Sequence, residues 1–252
     1  MSKDTHCEHL IVQSPTTPAH DTNRNSGRNT ETLLFVHFAL ILLLLPSLAS
    51  AGNDPPSGSL YLAGDPDRPG LVLAHGRGTH PDWKVVGPLR RVANRALGYH
   101  TLSLQLPNPD KHWSSYLDTF PSAYQRIGEG IRFLRARGVE HIYLMGHSMG
   151  ARMMSAYLAR HDAGSVVGII VAGCRNNGPE PMACASNLAS LNVPVLDIWP
   201  EDNPLDSAAG AARIGLVSDR YRQVEITSRD HQFDGRIDEF LEATVGWLKA
   251  QP

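Results

Sequence analysis

The chain has little cysteine and none of it is arranged to hold metal: three residues in 252, Cys7, Cys174 and Cys184, with no C-x-x-C pair. The twelve histidines are scattered rather than grouped, and H-E-x-x-H does not occur. There is no excess of positive charge either: 23 Lys and Arg against 25 Asp and Glu give a formal charge of −2. A nucleic-acid partner, which needs a basic face, is therefore not expected. No apolar run reaches the roughly 20 residues of a membrane helix, and no internal repeat is visible. What remains is an ordinary composition, 42% hydrophobic, that can bury one sizeable core.

The first 51 residues do not read as part of that core. Residues 1 to 31 are polar and rich in Ser, Thr, Asn and His. Leu33 to Leu45 is apolar, Pro46 breaks it, and Ala49-Ser50-Ala51 supplies an A-x-A site. This is the pattern of a signal peptide with its h-region at 33–45 and cleavage after Ala51. Its leading segment is long and not basic: Lys3, Arg24 and Arg28 stand against Asp4, Glu8, Asp21 and Glu31. A true start downstream of Met1 would account for that. The alternative is an uncleaved anchor using Thr32 to Ala51 as a tilted span, the one membrane contact expected. No cysteine follows the site, so a lipoprotein is not indicated. The expected destination is the periplasm or the exterior. There Cys174 and Cys184, ten positions apart, would close a disulfide. The expected division is leader 1–51, linker 52–58 and a single domain at 59–252.

In that domain short apolar runs alternate with helical patterns, which predicts βαβ units in a doubly wound, mostly parallel sheet. Strands are expected at 71–74, 101–106, 142–145, 166–171, 193–199 and 221–226. The last alternates in character and suits an edge. Helices are expected at 89–97, 124–136, after Met149, and at 236–248. No insertion is large enough for a separate cap.

The chemistry-bearing stretch is Gly146-His147-Ser148-Met149-Gly150, between an apolar strand and a helix. A G-x-S-x-G turn in that setting lifts the serine hydroxyl clear of the sheet, with a helix N-terminus behind it. Serine needs a base, and His231 stands between the last strand and the last helix. His75 and His147 flank glycine turns and read as loop-shaping; His100, His141 and His161 sit at element ends and read as solvated. The base needs a carboxylate to fix its tautomer. Asp202, at the C-terminal end of its strand, is the expected acid, with Glu201, Asp206 and Asp197 as alternatives; Asp197 lies within the strand pattern and reads as structural. The backbone N–H groups of Arg77, in His75-Gly76-Arg77-Gly78, and of Met149 would form an oxyanion hole. Residues 108–116 read as a small flap, with Trp113 and Tyr116 as an apolar wall. The Arg77 side chain is solvated or offers a cation to an anionic substrate.

From about Leu71 to Leu248 the chain resembles the α/β-hydrolase superfamily. The resemblance is carried by HG-x-G at 75–78, G-x-S-x-G at 146–150, the acid loop near 202 and His231. Within it, "AHGRGTHPDW", "LSLQLP" and "LDIWPEDNP" are similar to short, capless, exported bacterial members of largely unassigned function. The sequence departs from the pattern at Pro200, where glycine is common, and at Asn203, a position sometimes held by the aspartate. The resemblance implies Ser148 as nucleophile, His231 as general base and acid, and Asp202 as orienting acid. It implies acyl transfer to water from a small ester or thioester, with no cofactor. The alternatives are a non-catalytic envelope protein that keeps the fold and an acyltransferase, with haloperoxidase or lyase use of the fold further off.

Overall fold

The computed structural model describes residues 54–109, 112–162 and 164–252. The expected leader, the first two linker residues, and Asp110 and Lys111 of the expected flap lie outside them.

Seven strands form one sheet: β1 Leu60–Leu62, β2 Gly70–Ala74, β3 His100–Leu104, β4 Ile142–His147, β5 Val166–Ala172, β6 Val195–Pro200 and β7 Tyr221–Ile226. Their spatial order is β1-β3-β2-β4-β5-β6-β7. β1 runs antiparallel to β3, and the remaining pairs are parallel. The helices are α1 Val86–Leu97, α2 Phe120–Arg135, α3 Met149–Arg160, α4 Cys184–Ala189, α5 Pro204–Ala211 and α6 Ile237–Lys249. Short 3₁₀ turns occupy Trp113–Thr119 and Ile214–Leu216.

The strand pleat divides the core in two. On β2, Leu71 and Leu73 face the side covered by α1 and α6, with Val86, Leu89, Phe240 and Trp247. Val72 and Ala74 face the other side, with Phe120, Ile127, Met153 and Met154 from α2 and α3. Every residue of β2 and β4 is therefore buried, and both read as continuous apolar runs. β7 has only one strand neighbour, as expected of an edge, and only its end residues Tyr221 and Ile226 are buried.

Some boundaries differ from the sequence reading for local reasons. Helix α2 begins at Phe120 rather than Tyr124, because Pro121 is tolerated in a first turn that needs no N–H there. Five short elements were not anticipated: β1, the turns at 113–119 and 214–216, α4 and α5. His100 is not solvated but tied down, bonding Tyr61 Oη at 2.8 Å and the Gly64 amide at 3.1 Å. Cys174 and Cys184 are joined in a disulfide, with Cα atoms 5.9 Å apart. It fastens the segment after β5 to the first residue of α4.

The order of the strands sets where a ligand goes. From β2 the chain moves outward to β3 and then returns to place β4 on the other side of β2. Such a reversal opens a crevice beyond the carboxyl ends of the two strands. Those ends are Ala74 and His147, where the two glycine turns begin. No helix among the described residues is long and apolar enough to cross a membrane.

Candidate active site

Ser148 is held at φ 54°, ψ −115°, between β4 and α3. A positive φ on a residue with a Cβ costs about 1–3 kcal/mol and persists only where the surroundings enforce it. The enforcement comes from two glycines. A Cβ on Gly146 would lie 2.5 Å from the Ala151 backbone, and one on Gly150 would lie 2.4 Å from the Ala74 carbonyl oxygen. Helix α3 thus starts pressed against the ends of β2 and β4, and the serine has to occupy the bend. The Ser148 amide donates to the Ala172 carbonyl at 2.8 Å, which locks the bend to β5.

The hydroxyl meets a base. Ser148 Oγ lies 2.8 Å from His231 Nε2, on the loop after β7. His231 Nδ1 lies 2.6 Å from Asp206 Oδ2. Asp202, the expected acid, does not meet His231. It is exposed, and its backbone amide donates to the Ser228 carbonyl at 3.1 Å. Asp206, four positions on, is the carboxylate on His231. The cause is α5, whose N-cap is Asn203 and whose first residue is Pro204. The helix bends the chain back so that position 206, in its first turn, points inward and is buried. Glu201 accepts from the Thr227 hydroxyl at the surface. Asp197 is buried in an ion pair with Arg213, at 2.8 Å to each carboxylate oxygen, and also accepts from Tyr221 Oη at 3.0 Å.

A residue that sequence reasoning missed braces the acid. Arg175 Nε donates to Asp206 Oδ1 at 2.7 Å and its Nη2 to Oδ2 at 3.1 Å. Burial opposes ionisation of Asp206, but the bonds from His231 and Arg175 outweigh it and hold the carboxyl below its ordinary value. It is a carboxylate at neutral pH. His147, expected to shape its loop, has a specific part: Nε2 lies 2.9 Å from the His231 carbonyl oxygen. That oxygen only accepts, so Nε2 carries the proton. Burial, reinforced by nearby His231, pushes the His147 pKa down to about 3 and keeps the ring neutral.

The opposite wall comes from the turn after β2. Arg77 is exposed there. Asn108 ties this turn down, accepting from the Gly78 amide at 2.8 Å and donating to the Thr79 carbonyl at 2.8 Å. Tyr116, expected on an apolar wall, is instead buried beneath it, with Oη donating to Asn108 Oδ1 at 2.7 Å. Trp113 does line the cavity, which measures about 360 Å³ and includes Arg77, Ser148, Met149 and His231 in its lining. Arg152 and Arg175 line it as well. No cluster of three His, Cys, Asp or Glu able to hold a metal occurs among the described residues.

The same architecture recurs in solved structures. Est1E from Butyrivibrio proteoclasticus, bound to ferulic acid, superposes with a TM-score of 0.62 at 14% identity, over 77% of this chain and 94% of that one. A dienelactone hydrolase from Anabaena variabilis ATCC 29413 gives 0.61 at 16% identity, over 76% and 90%. A monoacylglycerol lipase from Paleococcus ferrophilus gives 0.58 at 17%, over 75% and 97%. The chain thus has the α/β-hydrolase fold. In sequence it is 25% identical over 188 residues to 2-succinyl-6-hydroxy-2,4-cyclohexadiene-1-carboxylate synthase from Serratia proteamaculans (strain 568), covering 74% of this chain and 68% of that protein. Residues 121–250, from the start of α2 through the whole of α6, match the family described as Protein of unknown function (DUF3530). That span holds Ser148, Asp206 and His231, and the chain belongs to the DUF3530 family.

Proposed function

We propose that this protein is a serine hydrolase that cleaves a carboxylic ester or thioester through an acyl-enzyme on Ser148. The observation that carries this reading is the continuous hydrogen-bonded line from Ser148 Oγ through the His231 ring to the buried Asp206 carboxylate. His231 Nε2 takes the hydroxyl proton as Oγ attacks the carbonyl carbon, and the same proton then goes to the departing alkoxide or thiolate. Asp206 keeps Nδ1 protonated and steadies the imidazolium. Water admitted through the cavity is activated by His231 in turn and releases the acid.

The backbone N–H groups of Arg77 and Met149 are the oxyanion donors in this mechanism, a role supported by both residues lining the cavity that holds Ser148. Loss of one such donor typically costs about 3–4 kcal/mol of transition-state stabilisation. Asn108, by fixing the turn that carries Arg77, preorganises one of them. The disulfide and the apolar stretch at 33–45 support a protein that works outside the cytoplasm.

The test is a fluorophosphonate probe on the folded protein, with the adduct mapped by peptide mass spectrometry. Labelling at Ser148 that disappears in His231→Ala is the expected result. A folded sample that stays unlabelled, and that turns over no ester or thioester, would remove the reading and favour a binding protein on the same fold.

A further inference from the structure

Three arginines, Arg77, Arg152 and Arg175, line the cavity at Ser148, and no aspartate or glutamate does. They are not equivalent. Arg77 is exposed and Arg175 spends its charge on Asp206. Arg152 is 5% exposed, and its guanidinium donates to Asn177 twice, at 2.5 Å to the backbone carbonyl and 2.5 Å to the side-chain oxygen. Both acceptors are neutral. The other buried arginines each have an aspartate: Arg90 pairs with Asp82 and Arg213 with Asp197. Among the described residues no carboxylate forms an ion pair with Arg152.

Asp206 acts on Arg152 only through space, its oxygens being bonded to Arg175 and His231. A buried cation with no carboxylate in contact is costly, and on a cavity wall it is open to an anion from outside the chain. Burial, helped by Arg175 nearby, lowers the Arg152 pKa to about 10, which leaves it charged at neutral pH. Its location is also informative. Arg152 lies in the first turn of α3, its amide donates to the Ser148 carbonyl at 3.2 Å, and both residues line the same cavity. The ring of Trp113 covers the guanidinium at 5.8 Å. Leu205, 64% exposed and also in the lining, offers an apolar edge to the chain joining an anion to a carbonyl.

We infer that the substrate carries an oxyanion, a carboxylate or a phosphate, which Arg152 receives while the ester or thioester carbonyl sits at Ser148. This deepens the hydrolase reading and rests on it for the reaction, though not for the binding. The experiment compares 4-nitrophenyl hexanoate with the mono-4-nitrophenyl ester of adipic acid, which replaces the terminal methyl by a carboxylate. It uses the full chain and the Arg152→Gln and Arg152→Lys variants. Separately, adipate and inorganic phosphate are titrated calorimetrically into each.

A charge-assisted bond to a buried guanidinium predicts about a tenfold or larger kcat/KM advantage for the adipate ester. Arg152→Gln should erase that advantage, lowering the adipate ester far more than the hexanoate, and Arg152→Lys should restore part of it. Anion binding should fall in parallel, and the tighter of adipate and phosphate identifies the oxyanion. Equal rates on the two esters with no measurable anion binding, or an advantage that survives in Arg152→Gln, would overturn the inference. If neither ester is cleaved and Ser148 takes no fluorophosphonate, the hydrolase reading fails. The anion site then stands or falls on the titrations alone.

Discussion

Arg175 and Asp206 meet in a two-toothed ion pair directly behind His231, with contacts of 2.7 and 3.1 Å. The carboxylate that orients the imidazole is therefore itself oriented, and both of its oxygens are engaged. The acid gains a fixed direction from this at some cost in basicity.

The first prediction separates the two candidate acids. Asp206→Asn should lower kcat by about a thousandfold to ten-thousandfold, the scale expected when the base loses its proper tautomer. Asp202→Asn should leave turnover at the wild-type level, because Asp202 is exposed and holds nothing in the site. Steady-state kinetics on one activated ester decide the matter; an equal loss in both variants would contradict the assignment.

Stability should depend on pH through His147. Its pKa is 6.5 in the unfolded chain and about 3 when folded. Above pH 6.5 neither state binds the proton; below it the unfolded chain does and the folded one does not, so stability falls as the pH drops from 6.5 towards 3. Asp206 acts in the same direction lower down, its contribution being lost as the pH falls through its depressed folded value. His147→Gln keeps a donor for the His231 carbonyl but no longer titrates. Thermal unfolding from pH 7 to 4 should show a shallower fall in Tm for that variant than for the wild type.

Strain at the elbow predicts opposite changes in stability and activity. Glycine accepts φ 54° without a Cβ penalty, so Ser148→Gly should raise Tm, the gain being about 1 kcal/mol, while abolishing turnover. A Tm unchanged or lower would mean that the serine is not strained.

Asp197 supplies the control for buried charge away from the reaction. Its partner Arg213 is fully buried, and Asp197→Asn would leave that cation without a counter-charge. Breaking such a pair from one side costs about 3–5 kcal/mol. The variant should therefore unfold at much lower denaturant concentration, while any folded fraction labels normally at Ser148.

The fold and two of the three residues on the hydrogen-bonded line were legible because their signals are local. Gly146 and Gly150 mark a bend that only glycine can pack, flanked by a strand and a helix of clear period. His231 stands at the one junction where a histidine follows the last strand. Asp206 was harder, because four carboxylates crowd the span from 197 to 206 and only the path of the backbone selects among them. The clue was Asn203-Pro204, an N-cap followed by the residue best suited to open a helix. Reading it as a helix start turns position 206 inward and leaves 202 outside. Arg152 and Arg175 were hidden for a different reason. An arginine on a helix or loop normally reaches solvent, and nothing in their immediate sequence shows that Asn177 and Asp206 hold them inside.

The two sides of the site differ in how freely they can change. Ser148 is set by contacts between backbones, since α3 touches the ends of β2 and β4 at Gly150 and Gly146. Moving it means moving the sheet. Asp206 and His231 ride on connections beyond β6 and β7, at the sheet's outer end. A substitution on the acid side is therefore met by loops and a short helix, whereas one at Gly146 or Gly150 has to be met by the sheet itself.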